Sequence, residues 1–477
     1  MKGKRWQLRG RKAVTSAGRP LSRTARWSLR TASSPSITRE KAVRTSRVVL
    51  ALTLLALLGC ETVQAESRSP PGPVPKIRDV RVLLGAAVDR VRLRADGPVT
   101  LSDGRTLRPA DGLAEDGVIA WHTTCGSGAD ARGGVAVTKA FGDAGSRTTR
   151  ESCGDELSPT PRVTLRPAEG DAIRLSLDRA GQWSAEVAYP GLIHLTAGDA
   201  GGLEVVNELD LERYVGCVVA NEVWPTFDAE AFRAQAIVSR SFVLYQMSRR
   251  PNAPFDVSAT QGSQVYRGIR DDAVGRRAVE AAEYTRGIVC TWRDRDEDRL
   301  FCTYYSAACG GVSQSAALLG PEGDVPPLRG GVKCDYCKIA PADAYRWGPV
   351  RLPVAEVLAH LIERYPDLAS LGGISAITPL EQTPSGRLIT LRITGQNGAN
   401  HDMLAERFRL AIGPTVIRST DCRIRVKDGE MIFENGKGYG HGLGLCQWGM
   451  QGLAQSGKHA AEILRFYYPD AKLTRAY

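Results

Sequence analysis

The segment DLERYVGCVVANEVWP, residues 210–225, decides how the centre of the chain folds. Asp210 is a good N-cap, Glu212 suits the positive end of a helix dipole, and Pro225 marks the far end, so the segment predicts a helix. At about 100° per residue, one face of this helix is apolar; its members are Leu211, Val215, Val218 and Val219. Glu222 falls within about 60° of that face. A helix that buries the apolar face therefore draws the Glu222 carboxylate partly out of water.

Burial disfavours the charged form of a carboxyl group and raises its pKa. A carboxylic acid that stays protonated near neutral pH can donate a proton to a leaving group, which makes Glu222 a candidate general acid. A second interpretation stays open at this point. The next predicted helix, residues 228–247, carries Arg233 and Arg240, and either one could pair with Glu222 in a buried ion pair.

The segments around this helical centre are rich in β-prone runs. Residues 77–208 alternate such runs with Gly, Asp and Pro turns, which predicts an antiparallel β region. Residues 209–345 hold the helices and a Cys/Gly-rich segment. Residues 346–477 form a mixed C-terminal region, with strands ISAITPLE and GRLITLRIT and helices at Val354–Arg364 and Ala460–Tyr468. The expected fold class is α+β, with the helical centre between β-rich flanks.

The net charge of +11 over 477 residues is concentrated at the N-terminus. Residues 1–47 contain fourteen Lys and Arg and one acid, so the rest of the chain carries a slightly negative net charge. Bulk charge therefore gives no support for nucleic-acid binding. A hydrophobic fraction of 43% and a charged fraction of 24% also exclude a polytopic membrane protein and a disordered chain.

The first 76 residues are typical of an export leader followed by a tether. The apolar run 48–59 is too short to span a bilayer and follows a basic flank, so residues 1–59 predict a lipoprotein-type secretory signal. Leu57-Leu58-Gly59-Cys60 resembles the bacterial lipobox, which would make Cys60 the lipidated N-terminus; a plain signal peptide is the alternative. The leader is longer than a signal requires, which favours a translation start further downstream. Residues 60–76, rich in proline, predict an extended tether from the membrane anchor.

Five ordered blocks of the chain resemble the stage II sporulation protein D (SpoIID) family, which includes amidase-enhancer proteins. The blocks are VVNELDLERYVGCVVANEVWP, AFRAQAIVSRSFVLY, QGSQVYRGI, YYSAACGG and GKGYGHGLGLCQWGMQGLAQSGKHAAEILRFYYPDAKL. Together with the preceding β region they cover roughly residues 80–475. The resemblance implies a lytic transglycosylase that acts on peptidoglycan strands already stripped of stem peptides by a cell-wall amidase, with Glu222 as the catalytic glutamate.

Two further functions remain open beside the enzyme. The same fold could serve a glycan-binding enhancer that stimulates a separate amidase without cleaving anything. A lipid-anchored scaffold held together by disulfides is the third. Glu222, at the acid's position and on an apolar stripe, favours the enzyme. Ordinary glycosidases use two carboxylates, and the sequence marks no second acid as a partner.

The resemblance also suggests residues that line a substrate cleft. The last block has six glycines in fourteen residues, 436–449, which lets the backbone approach a ligand closely. The candidate substrate-binding residues are Arg240, Gln264, Tyr266, Lys437, Tyr439, His441 and Gln447. For His441, a tight turn with a core histidine is an equally good interpretation.

The cysteines allow either a structural zinc site or disulfides. Some family members carry zinc through a His where this chain has Tyr305, so that site does not transfer. Cys309 and the C-x-x-C pair Cys334 and Cys337 instead resemble a structural zinc pattern, with Cys302 as the expected fourth ligand. Such a site would leave no open position for catalysis, so no cofactor is expected for the reaction itself. The alternative disulfides include Cys309 with one of the C-x-x-C pair, Cys290 with Cys302 across a hairpin, and Cys125 with Cys153.

Overall fold

The computed structural model describes residues 79–95, 97–102, 106–107, 117–122, 134–137, 162–168, 170, 172–198, 201–260, 262–318 and 325–477. The expectations for the leader, Cys60, the tether and the Cys125–Cys153 pair lie outside these residues. Within them, no helix is both long enough and apolar enough to cross a lipid bilayer.

Two antiparallel sheets build the N-terminal part of the described chain, as the alternating runs predict. Strands β1 to β12 are, in chain order, Val80–Val88, Arg90–Ala95, Val99–Leu101, Thr106–Leu107, Gly117–His122, Gly134–Val137, Arg162–Pro167, Ala172–Arg179, Gln182–Trp183, Val187–Pro190, Leu192–Ala197 and Leu203–Leu209. One sheet has the order β1-β12-β11-β7-β3-β4, and the other has the order β10-β8-β2-β5-β6, with β9 on β8. A short strand β13, Val257–Ser258, adds to β1 in parallel.

Three helices pack on these sheets and form the centre of the molecule. They are α1 (Leu211–Glu222), α2 (Ala229–Arg249) and α3 (Ala273–Tyr284). The Asp210 carboxylate accepts hydrogen bonds from the N–H groups of Glu212 and Arg213, so it caps α1 as expected. The apolar face of α1 is buried, and it joins one hydrophobic core with strands of both sheets and with α2.

The C-terminal third contributes to two hydrophobic cores rather than one. The strands that follow α3 are β14 (Ile288–Asp294), β15 (Glu297–Leu300), β16 (Tyr305–Ser306), β17 (Arg346–Trp347), β18 (Val350–Pro353), β19 (Ile374–Gln382), β20 (Leu388–Gly395), β21 (Asn400–Leu404), β22 (Arg423–Lys427), β23 (Glu430–Glu434), β24 (Gly436–Lys437), β25 (Leu445–Cys446) and β26 (Lys472–Arg475). The helices that follow α3 are α4 (Ala342–Tyr345), α5 (Val354–Arg364), α6 (Ala405–Ile412), α7 (Gln447–Gln455) and α8 (Ala460–Tyr467). Residues between 347 and 433 surround a second core of their own, whereas residues 443–468 return to the first core. Residues of the predicted C-terminal region, 346–477, therefore belong to both hydrophobic cores.

The structure confirms the α+β class and corrects one cysteine pairing. Strands β14 and β15 form the expected hairpin, but Thr291 pairs with Leu300, so Cys290 and Cys302 do not face each other. Cys290 instead pairs with Leu473 of the terminal strand β26, and it is not in a disulfide.

Candidate active site around Glu222

Glu222 is the last residue of α1, and three groups from distant parts of the chain surround its carboxyl group. The backbone N–H of Val265 and the hydroxyl of Tyr305 donate to Oε1, at 2.8 and 2.9 Å. The Gln447 side-chain Nε2 lies 3.5 Å from Oε2 and 3.2 Å from the backbone oxygen of Glu222. Among the residues that the structure describes, Oε1 therefore accepts two hydrogen bonds, whereas Oε2 has a single long contact.

Two short strands bring Tyr305 and Gln447 together. Strand β16 pairs in parallel with β25, so that Tyr305 faces Leu445 and Ser306 faces Cys446. Cys446 caps α7, and Gln447 is the first residue of that helix. The Gln447 Nε2 also lies 3.3 Å from the side-chain oxygen of the buried Gln235 in α2, which fixes the orientation of the amide. The pairing of β16 with β25 thus positions both side chains on Glu222.

Burial raises the pKa of the Glu222 carboxyl group above its usual range, and the three hydrogen bonds only partly oppose this. The side chain remains half-buried, so solvent still reaches it. No arginine is among the groups that hydrogen-bond it in the described residues. A carboxyl group whose pKa burial raises, in a side chain that solvent still reaches, can serve as a general acid.

The buried ion pair that was the alternative for Glu222 is formed by Glu212 instead. The guanidinium of Arg240 donates to both carboxylate oxygens of Glu212, at 2.8 and 2.5 Å, and to the backbone oxygens of Ala282 and Ile288. Although burial acts to raise the pKa of Glu212, Arg240 lowers it overall. The predicted substrate-binding residue Arg240 is fully buried, and its hydrogen bonds link α1, α2, α3 and β14 inside the protein. Glu212 is buried as well.

Arg233, the other possible partner, contacts Glu230 within its own helix at 2.5 Å. Gln264 and Tyr266 flank Val265, but both side chains are buried. The Tyr214 hydroxyl donates to Gln264, and the Tyr266 ring stacks on Tyr214 at 5.5 Å between centroids. The side chains of these two predicted cleft residues therefore pack inside the protein next to Val265 and do not face solvent.

Three more of the predicted cleft residues belong to the glycine-rich block 436–449, which pairs with the part of the chain that follows Tyr304. Tyr439 exchanges backbone hydrogen bonds with Ala308, and Lys437 is partly exposed near Asp421. The His441 Nδ1 accepts the N–H of Leu443. Burial lowers the pKa of His441 to about 4, so its imidazole is neutral at pH 7. His441 thus combines a tight turn with a half-buried ring.

Two tryptophans lie close in sequence to the groups of the site. Trp224, two residues after Glu222, is 36% exposed and stacks on Phe227 with 5.5 Å between ring centroids. Trp448 follows Gln447 directly, and its ring centroid lies 5.1 Å from that of Trp224. The indole Nε1 of Trp448 is buried and has no hydrogen-bond partner among the described residues. The chain just after Glu222 therefore offers an aromatic side chain to solvent.

Four buried cysteines form a cluster next to β16 and β25. The sulfurs of Cys309, Cys334, Cys337 and Cys446 all lie within 4.8 Å of one another, and none is in a disulfide. Three of the four residues predicted for a metal site are present. Cys302 is not part of the cluster. It precedes β16 in the sequence, and its sulfur lies 4.0 Å from the side-chain nitrogen of Gln246. Cys446 takes the fourth position instead.

The fold and the site define an α+β protein with a partly buried carboxyl group at the end of a central helix. The family model for the stage II sporulation protein SpoIID matches residues 199–292, which contain α1, α2, α3 and Val265. An uncharacterised protein of Brachyspira hyodysenteriae is 34% identical over 284 residues, which are 59% of this chain and 70% of that protein. The chain belongs to the SpoIID family.

Two named relatives extend the comparison. Stage II sporulation protein D of Bacillus subtilis is 26% identical over 284 residues, which are 57% of this chain and 76% of that protein. The amidase enhancer of the same organism is 43% identical over 67 residues, but these are only 14% of this chain and 9% of the enhancer.

Sequence reasoning missed three parts of the site. The Val265 N–H has no side-chain signal, since any residue other than proline provides one. Tyr305 was considered only as a failed zinc ligand, although a phenol is a good hydrogen-bond donor to a carboxyl group. Cys446 did have a signal, because it interrupts the glycine-rich block immediately before Gln447.

Proposed function

We propose that this protein is a peptidoglycan lytic transglycosylase that uses Glu222 as its acid and base. The observation that carries the proposal is the Glu222 carboxyl group, whose pKa burial raises and whose hydrogen-bond partners in the described residues include no arginine. The amide N–H and the phenol occupy Oε1. The proton therefore belongs on Oε2, whose single long contact leaves it available to a substrate oxygen.

The reaction needs one carboxyl group because the sugar supplies its own nucleophile. Protonated Glu222 donates its proton to the glycosidic oxygen as the bond from that oxygen to muramic acid C1 breaks. The resulting carboxylate then accepts the proton of the C6 hydroxyl as O6 bonds to C1. The intramolecular attack starts with a high effective molarity. The strand ends in a 1,6-anhydromuramoyl group, and Glu222 is protonated again for the next cycle.

The groups that hydrogen-bond Glu222 are consistent with a mechanism that relies on one carboxyl group. Within the described residues they are an amide N–H, a phenol and a carboxamide. Trp224, two residues from Glu222 in the sequence, is 36% exposed, and an exposed indole suits the apolar face of a sugar ring.

The cell wall as the place of action, and an amidase as a partner, belong to the same proposal. The relatives named stage II sporulation protein D and amidase enhancer support a cell-wall role for this chain, and the enhancer supports cooperation with an amidase. We also propose export as a lipoprotein anchored through Cys60, on the basis of the leader sequence.

The test compares Glu222→Gln with the wild type on glycan strands that an amidase has stripped of stem peptides. Glutamine keeps the shape of the side chain but has no proton to donate at an oxygen. The loss of general acid catalysis reduces the yield of anhydro product, measured by mass spectrometry, by about 10²–10⁴-fold. Glu283→Gln is the matched control, because Glu283 is an exposed residue of α3 that forms a surface ion pair with Arg286.

Equal anhydro product from the wild type and Glu222→Gln would contradict the assignment of the acid. A wild-type protein that cleaves no strand but accelerates a separate amidase would favour the glycan-binding enhancer instead. Binding of strands by Glu222→Gln without cleavage would support the enzyme.

A further inference from the structure

The four-cysteine cluster has the geometry of a tetrahedral metal site. Zinc binds thiolate sulfur at about 2.3 Å, so a regular tetrahedron places its sulfurs about 3.8 Å apart. The Cys309 and Cys337 sulfurs are 3.7 Å apart, whereas a disulfide bond is about 2.05 Å long. All four side chains are at most 1% exposed. Four thiolates this close repel one another strongly unless a cation lies between them.

The groups around the cluster suit thiolates rather than neutral thiols. The backbone N–H groups of Cys309 and Gly449 point at the Cys446 sulfur, at 3.2 and 3.4 Å. The Tyr467 hydroxyl lies 3.1 Å from the Cys334 sulfur. Donors of this kind hold metal-binding sulfurs in place. Glycine at 449 is required here, because a Cβ would lie 2.6 Å from the Cys334 sulfur.

Two of the four cysteines are attached to the segments that hold Glu222. Cys446 is the last residue of β25 and immediately precedes Gln447. Cys309 follows β16, the strand that carries Tyr305 and pairs with β25. A bond from each sulfur to one ion would therefore fix the distance between β16 and the start of α7. The side chains that depend on that distance are the two that contact the Glu222 carboxyl group.

We propose that Cys309, Cys334, Cys337 and Cys446 bind one Zn²⁺, and that this ion positions Tyr305 and Gln447 on Glu222. With four sulfur ligands the ion has no open coordination position, so its role is structural. The metal assignment is independent of the reaction; the positioning role rests on the proposed function.

The first experiment measures metal and thiols in the purified full-length protein. We expect one zinc per chain by mass spectrometry of the metal content. We also expect Co²⁺, exchanged into the site, to give the absorption bands of tetrahedral thiolate coordination. Iron in place of zinc would overturn the assignment. So would a metal-free protein whose four cysteines stay unreactive towards thiol reagents after unfolding without reductant, since they would then be disulfides.

The second experiment separates positioning from general stability. Cys446→Ser and Cys309→Ser should lose zinc and lower kcat by about tenfold or more. Cys309→His, which keeps a zinc ligand, should restore both relative to Cys309→Ser. Cys422→Ala is the control, because this buried cysteine belongs to the other hydrophobic core and should keep both zinc and activity.

Amide hydrogen exchange provides a measure that does not depend on cleavage. Removal of zinc by a chelator from the wild type should speed exchange in residues 304–309 and 445–449, while the core of residues 347–433 keeps its protection. Uniform loss of protection, or none, would overturn the positioning role even where a cysteine variant fails to fold. If the wild type cleaves no glycan, the proposed function fails, but the zinc content and the exchange pattern still decide this inference.

Discussion

Tyr305→Phe tests how the hydrogen bonds on Oε1 set the acidity of Glu222. The Tyr305 hydroxyl donates to Oε1 over 2.9 Å and stabilises the carboxylate more than the acid. Burial raises the pKa of Tyr305 itself far above its usual value, so the phenol remains a donor throughout the working pH range. Phenylalanine keeps the ring and removes only the donor. The pKa of Glu222 should therefore rise further, because the charged form loses a stabilising partner.

The size of the effect follows from the energy of one hydrogen bond to a charged group. Such a bond contributes about 1.5–3 kcal/mol, and about 1.36 kcal/mol corresponds to one pH unit. The proposed reaction requires protonated Glu222, so kcat/KM should fall on the alkaline side of its pH profile. That alkaline limb should move to higher pH by roughly one to two units in Tyr305→Phe. The plateau at lower pH should stay within about tenfold, because Oε2 keeps its proton and Val265 still holds Oε1.

The assay is the pH dependence of anhydro product formation under kcat/KM conditions. Tyr284→Phe, at an exposed tyrosine of α3, should leave the profile unchanged. A profile that drops uniformly without moving would mean that Tyr305 acts only through packing. A limb that moves to lower pH would refute the reasoning outright, since it would show that the phenol favours the acid form.

The other predictions concern stability. Because the pKa of Glu222 is raised in the folded state, unfolding releases a proton between the unfolded and folded pKa values, so stability falls as pH rises through that window. Glu222→Gln should thus be more stable than wild type to urea at pH 7, and this difference in stability should shrink as pH falls through the window and be smallest below about pH 4.5. Arg240→Met leaves the Glu212 carboxylate buried without its cation and should cost about 3–5 kcal/mol in urea unfolding, whereas adding Glu212→Leu should recover most of that loss. Both Gly444 and Gly457 have positive φ, 59° and 82°. Gly457→Ala should cost about 1–2 kcal/mol of backbone strain, and Gly444→Ala should cost more, because only there would a Cβ overlap a backbone oxygen; equal melting temperatures would contradict this.

Helices and strands whose formation depends on local periodicity and on nearby residues could be predicted from the sequence alone. The apolar stripe and the Asp210 cap of α1, the alternating strands of the N-terminal region and the helix Val354–Arg364 all follow from side chains a few positions apart. The apolar face of α1 also predicted that Glu222 lies at the edge of the core. Three of the four clustered cysteines were also visible, because they lie within 28 residues of one another.

The contacts between side chains that are distant in the sequence could be read from the tertiary structure alone. Whether Arg240 pairs with Glu212 or with Glu222 depends on how α2 crosses α1, and both glutamates lie on the same short helix. Tyr305 and Gln447 reach Glu222 across 83 and 225 positions of sequence, through a parallel pairing of two-residue strands that leaves no periodic pattern. Cys446 rather than Cys302 joins the cluster for the same reason. Helix and strand patterns depend on residues that are neighbours in the sequence. The pKa of a buried carboxyl group depends instead on the distant side chains that packing brings into contact with it.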